Sequence, residues 1–300
     1  MYNSQLRVFV CVADCGSFSR AAEKLFLSPT AVMKQINALE GHLELTLLER
    51  TTRGVRLTAP GRSVYEDAQK IFAFSREALE RARAAAGSGS RVFRVGTSML
   101  NPCMAFMNLW RRISDRLPGS ALRIVPFEDN REGILSEIAA LGEKFDFLVA
   151  ACDSDAWLSR CNFRQLGSYH LCMAVPATHR LARETELTLD QLEGETVMLG
   201  ARGDARTVDR VRQDLAARPG IRLEDTSAFY DIEVFNACER AGKLLLTLEC
   251  WRGIHPSLVT IPVRWSYSVP CGLLYPLHPN ESIRRFLELL DEEEAGERRT

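Results

Sequence analysis

Thr30, Met33, Lys34 and Asn37 fall at helical spacing on one side of a predicted helix that Ser28 caps and Pro29 opens. The other side carries Val32, Ile36, Leu39 and Leu43, so the first side faces water. Downstream, two short strand-like runs, Leu45 to Glu49 and Val55 to Thr58, enclose Thr51, Thr52, Arg53 and Gly54, a hairpin signal that presents Arg50, Arg53 and Arg56 together. Arginine and lysine hold phosphates, and the positive end of a helix at Ser28 adds to that pull. Threonine and asparagine can reach base edges, and methionine can pack on a thymine methyl. Charge is divided in the same sense. Residues 1–90 hold 12 Lys or Arg against 9 Asp or Glu, a net of +3, while the remaining 210 residues are net −4. The chemistry expected of this set is capture of a polyanion.

Bond-making chemistry has no comparable carrier. The sequence contains no GxSxG, no P-loop, no HExxH and no dinucleotide GxGxxG, and its five histidines are scattered. Nine cysteines are an odd number with no pair in metal-ligand spacing, which reads as reduced thiols filling core positions. No cofactor, metal or catalytic residue is therefore expected. Three hundred residues, 46% apolar and 26% charged, suit a globular chain of about two domains. The longest apolar run near the start, Val8 to Ala13, is far too short for a membrane span, and with no signal peptide the expected location is cytoplasmic.

The elements that must position these residues are legible from apolar spacing. Leu6, Phe9, Val10 and Ala13 make a first helix that Gly16 ends; Ser17 or Ser19 caps a second with Ala21, Ala22 and Leu25 inward. After the hairpin, Thr58 caps a long helix to about Ala86, striped by Val64, Ala68, Ile71, Phe72, Ala78, Leu79 and Ala82. A rod of roughly 42 Å is too long to bury that stripe on a short unit, so a second copy of the chain is expected to cover it. Gly87 to Ser90 reads as a flexible linker. From Val92 the periods alternate. Strands at Val92–Val95, Ala121–Phe127 and Phe145–Ala151 enclose helices to about Arg116 and over Arg131–Glu143, a βαβαβ unit with a parallel sheet. A second series has strands near 171–175, 196–199, 222–229 and 244–248 and helices near 207–218 and 232–241, which makes two α/β lobes. The charged tail from Asp291 to Thr300 is expected to be disordered.

Three stretches, Gly16 to Leu25, Ser28 to Glu40 (SPTAVMKQINALE) and Leu47 to Gly61 (LLERTTRGVRLTAPG), resemble the amino-terminal domain of LysR-type transcriptional regulators in order, spacing and punctuation. The likeness continues more weakly through the body. It implies an all-α winged helix-turn-helix with a long linker helix, joined to a two-lobed α/β effector domain like the periplasmic binding proteins. The expected boundaries are 1–58, 59–90 and 91–293, with one lobe at about 91–166 and 267–293 and the other at about 167–266. The resemblance implies double-stranded DNA as partner, a homodimer or homotetramer, and a small effector in the cleft between the lobes. Such clefts open beyond the carboxyl ends of parallel strands. That rule selects Thr97, Ser98, Met99, Phe127, Glu128, Gly200, Ala201, Arg202, Tyr230 and Asp231, with Ser98 and Arg202 accepting an organic or aromatic carboxylate.

The chain departs from the family pattern at Pro29 and Met33, where relatives carry hydrogen-bonding side chains, and at Lys243-Leu244 after Gly242, where a second glycine is common. A shifted base preference and a differently lined pocket follow. Two rival readings stand beside this one: a two-lobed solute-binding protein or enzyme carrying a helical dimerisation module, and a redox-sensing regulator using Cys152 and Cys161, whose position does not suit the peroxide-sensing members.

Overall fold

A computed structural model describes residues 4–51, 54–85, 91–129, 133–203, 205–227 and 230–297. The chain divides into two compact units, one of residues 1–90 with 278–288, the other of residues 91–277 with 289–300.

The first unit begins with helices α1 (Ser4–Cys15), α2 (Phe18–Leu25) and α3 (Pro29–Leu43). Ser17 caps α2, and Ser28 caps α3 by accepting the Ala31 N–H at 3.1 Å, with Pro29 at the first helical position. The wing is the hairpin β1 (Leu48–Thr51) and β2 (Gly54–Leu57), shorter than the apolar runs suggested. Its turn depends on glycine: Gly54 sits at φ +124°, and a Cβ there would lie 2.6 Å from the Gly16 carbonyl oxygen. Helix α4 (Ala59–Ala85) starts at Thr58, whose hydroxyl accepts the Gly61 N–H at 2.9 Å. Phe9, Val12, Val32, Ile36, Leu47, Ala68 and Phe72 form the core of this unit. Two apolar residues behave differently from their periodicity. Leu43 is exposed because it ends α3 beyond the last core contact, and Phe72 of the α4 stripe is buried within the unit, whereas Ile71 and Leu79 are exposed. The linker at 87–90 lies outside the described residues.

In the second unit, β3 (Arg91–Thr97), β4 (Ser120–Pro126) and β5 (Phe147–Ala151) are parallel, linked through α5 (Met104–Ile113) and α6 (Gly133–Ala139). This is the expected βαβαβ unit, although α6 ends at Ala139, short of the expected Glu143, and residues 131–132 lie outside the described residues. After the short α7 (Asp155–Leu158), β6 (Asn162–Pro176) runs the length of both lobes. The second series is β7 (Thr196–Leu199), α8 (Arg206–Ala216), β8 (Arg222–Asp225), α9 (Ile232–Ala241) and β9 (Leu244–Leu248). Two further strands, β10 (Leu258–Pro262) and β11 (Ser268–Tyr275), were not read from the sequence. They are antiparallel to β6, and their apolar runs carry no helix between them to announce a βαβ unit. The sheet order is β4-β3-β5-β11 with the first half of β6, then β10 and β9-β7-β8 on the second half. Two lobes therefore share one strand. The last helix, α10 (Glu281–Glu297), whose residues from Leu289 on belong to this unit, corrects the expected disorder from Asp291: Glu292, Glu293 and Glu294 pair with Arg116, Arg112 and Arg164, which compensates the acidic run.

Candidate functional site

On α3, Thr30, Lys34 and Asn37 are exposed and Met33 is half-buried, so the face inferred from spacing exists as a surface. Arg50 on β1 lies across it. Its guanidinium donates to the Met33 thioether at 3.1 Å and sits 4.9 Å from the centre of the Phe18 ring. Met33 thus seats the first wing arginine against both helices. Glu40 secures the same corner from behind: one carboxylate oxygen accepts the N–H groups of Leu47 and Leu48 at 2.6 and 3.0 Å. Arg56 is exposed on β2, opposite Glu49. Among the described residues, none of Lys34, Arg50 and Arg56 is paired with a carboxylate. Arg53 lies outside the described residues. The surface therefore carries uncompensated positive charge beside the capped, positive end of α3.

A second concavity lies between the lobes of the second unit, with a volume of about 160 Å³. Of the residues expected there, Gly200, Ala201 and Tyr230 line it. Thr97, Ser98, Met99, Phe127, Glu128, Arg202 and Asp231 stand off its wall. Ser98 donates to Asp129 at 2.7 Å and accepts from the Asn101 backbone, so its hydroxyl is spent on the loop. Thr97 accepts the Cys103 N–H, Phe127 packs edge-on to Phe145, and Asp231 caps α9 through the Val234 N–H. Met99, Glu128 and Arg202 are exposed. Thr97, Ser98 and Arg202 do not converge on the cavity.

The wall is made instead by Leu100, Asn101, Asp129, Cys152, Asp153, Ser154 and Trp157 from the first lobe and by Leu246, Thr247 and Trp251 from the second. Tyr230 donates to the Leu246 carbonyl at 2.9 Å and its ring lies 5.5 Å from that of Trp251. Asp129 accepts from Ser98, Asn101 and the Leu100 N–H, all neutral donors. Asp153 accepts the Thr207 N–H at 2.8 Å. That bond crosses between lobes and supplies the cap that Ala205, the N-cap residue of α8, has no side chain to make. Trp251 crosses too, donating to the Leu100 carbonyl at 2.7 Å, and Arg206 pairs with Asp155 at 2.5 Å. Asp153 and Trp251 follow the ends of β5 and β9, a position in the sequence that marks both. Asp129 lies just past the residues chosen after β4.

The cysteines divide by environment. Cys152 and Cys161 are buried in one cluster, and burial pushes the Cys161 thiol up to about 12. Cys15 on α1 is half-buried, and a hydrogen bond with Cys11 lowers it to about 7. Among the described residues no His, Cys, Asp and Glu group could hold a metal, and no helix is long and apolar enough to cross a membrane.

Comparison with known proteins bears on both concavities. Residues 4–62 match the model of the bacterial regulatory helix-turn-helix protein, lysR family, and residues 86–295 that of the LysR substrate binding domain. The chain is 34% identical over 189 residues to the HTH-type transcriptional regulator BudR of Raoultella terrigena, covering 62% of this chain and 63% of that protein. It is 44% identical over 81 residues to the HTH-type transcriptional regulator TfdS of Cupriavidus pinatubonensis, covering 27% of this chain and 28% of that protein. Both matched stretches span less than two thirds of the relative's own length. Among solved structures, CbnR, a LysR family transcriptional regulator, has the same fold, with a TM-score of 0.58 at 19% identity over 97% of this chain and 99% of that one. CbnR in complex with its target DNA matches at a TM-score of 0.53 and 20% identity, over 97% and 99%.

Proposed function

The chain belongs to the LysR family of bacterial regulatory helix-turn-helix proteins, and from that membership we propose that it is a sequence-specific DNA-binding transcriptional regulator controlled by a small molecule held between its two carboxy-terminal lobes. The observation that carries the reading is the exposed α3 face with Lys34, Arg50 and Arg56 unpaired by carboxylates. An isolated structural face would favour i,i+4 pairs of opposite charge, whereas unpaired cations beside a helix amino terminus suit phosphate. In this reading α3 enters a major groove from its amino-terminal end. Ser28 and Lys34 hold phosphates, Thr30, Met33 and Asn37 meet base edges, and Arg50, Arg53 and Arg56 follow the flanking backbone.

Control works through the lobes. A ligand in the cavity touches walls from both, where the bonds of Asp153 to Thr207 and of Trp251 to Leu100 already cross. Whichever lobe arrangement it binds better becomes more populated. We take the amino-terminal 58 residues as the reading head, 59–90 as linker, and 91–293 as the sensing part, working as a homo-oligomer in the cytoplasm and catalysing no reaction. The carboxylate effector expected from Ser98 and Arg202 finds no cation on the described wall.

Fluorescence anisotropy with duplexes tiled across the DNA upstream of the chain's own coding region tests this. Tight binding to one segment, lost on competition with that segment and not with scrambled DNA, is the expected result; equal affinity for every segment at physiological salt would reject sequence-specific regulation.

A further inference from the structure

Among the described residues, the wall of the cavity between the lobes carries charge of one sign. Asp129 and Asp153 both line it, and among the described residues every hydrogen bond that either accepts comes from a neutral donor: Ser98, Asn101 and the Leu100 N–H for the first, the Thr207 N–H for the second. Among the described residues no lysine or arginine stands on the wall. A carboxylate ligand would enter against two like charges in a partly desolvated space, which raises its cost steeply. An ammonium group would meet charge-assisted acceptors there and, beside them, the faces of Tyr230 and Trp251. Burial pushes the Tyr230 hydroxyl above its ordinary range, so that ring stays neutral.

A third group points to a ligand independently of charge. Thr247 on the same wall is 1% exposed and, among the described residues, its hydroxyl has no hydrogen-bond partner. A buried hydroxyl left without a hydrogen-bond partner destabilises the fold, and a polar ligand there removes that cost. The remainder of the wall is largely apolar, Leu100 and Leu246 included, with Asn101 and Ser154 as further neutral polar groups.

We propose that the effector is a small organic cation, an amine on an apolar or aromatic body, whose ammonium group is held by Asp129 and Asp153 and whose body lies against Tyr230 and Trp251, within reach of Thr247. This rests on the cavity being the effector site. It would reverse the ligand charge that the sequence suggested.

The test uses the full chain and isothermal titration with matched probes: butyl, cyclohexylmethyl and 2-phenylethyl skeletons, each as the amine, the alcohol and the carboxylate. The expected result is that amines bind about tenfold more tightly than alcohols of the same skeleton, and carboxylates more weakly than either. Asp129→Asn and Asp153→Asn should each shrink the amine preference while leaving the alcohol affinity nearly unchanged; Asp153→Asn serves if Asp129→Asn disturbs its loop. Thr247→Val should weaken amine and alcohol alike. Ala201→Trp, which fills the cavity, should abolish all binding. If a carboxylate binds most tightly in any set, or the amine preference survives both aspartate changes, the cation class is wrong; loss of that binding in Ala201→Trp would still leave the cavity as the effector site. Binding that persists in Ala201→Trp, or none by any probe, overturns both.

Discussion

Lys34 carries the simplest test of the interface, since it is exposed and unpaired on the α3 face. Lys34→Ala should weaken DNA binding by roughly three- to tenfold on all sequences alike and lower the slope of log K against log salt by about one. An unchanged slope would mean that Lys34 does not meet a phosphate. Met33 behaves differently, because Arg50 leans on its sulfur. Met33→Ala should alter base preference and also loosen Arg50. Cysteine reactivity separates at this scale too. With Cys15 lowered to about 7, its thiolate population grows as pH rises through that value, so its alkylation by iodoacetamide should climb between about pH 6 and 8. Cys161, pushed up to about 12 by burial, should stay unlabelled throughout. Equal labelling of the two, read by peptide mass spectrometry, would contradict this division.

Between elements, the corner where α3 meets the wing depends on one carboxylate. Glu40 satisfies two backbone N–H groups of the chain entering β1, and both Leu47 and Leu48 are buried. Glu40→Ala strands them, at a cost of about 1–3 kcal/mol each, and should displace Arg50 and Arg56 relative to α3. Weaker DNA binding with the charges intact is the expected outcome. Helix α4 makes the opposite case: Phe72 is consumed by the core of its own unit, whereas Ile71 and Leu79 remain 46% and 43% exposed. Ile71→Glu should therefore leave folding nearly unaffected yet lower the oligomeric state in sedimentation and reduce DNA affinity with it. A variant that is monomeric and binds DNA like the wild type would overturn the role given to α4.

On the scale of the whole chain, the two units can be followed separately. All four tryptophans, Trp110, Trp157, Trp251 and Trp265, belong to the second unit, while α1 to α4 carry no tryptophan and are followed by the far-ultraviolet dichroism. In urea, Glu40→Ala should shift the dichroism transition and leave the tryptophan transition in place. Coincident shifts would show that the units unfold as one. A fragment of residues 91–300, which keeps the nine-stranded sheet whole, should stay folded, bind whatever the full chain binds in the cavity, and show no affinity for DNA.

Local rules sufficed for the helix-turn-helix, because caps, punctuation and apolar period act over a few residues. Ser28 with Pro29, Gly16, Thr58 and the Val32 to Leu39 stripe each specify their element without distant partners. The parallel strands were legible for the same reason, as continuous apolar runs between amphipathic helices. What sequence could not decide is which residues share a wall. Ser98 looks free in a one-dimensional reading, yet Asp129, 31 positions on, accepts its hydroxyl hydrogen bond. Asp153 looks like a loop residue, yet it caps α8 from the other lobe. The ordering of α10 past Asp291 likewise needs Arg112, Arg116 and Arg164, none of them near in sequence. Cavity charge and inter-lobe bonding arise from chain segments joined only by the crossing of β6 and the return to β11. Pairing across such distances is set by tertiary packing and leaves no period to read.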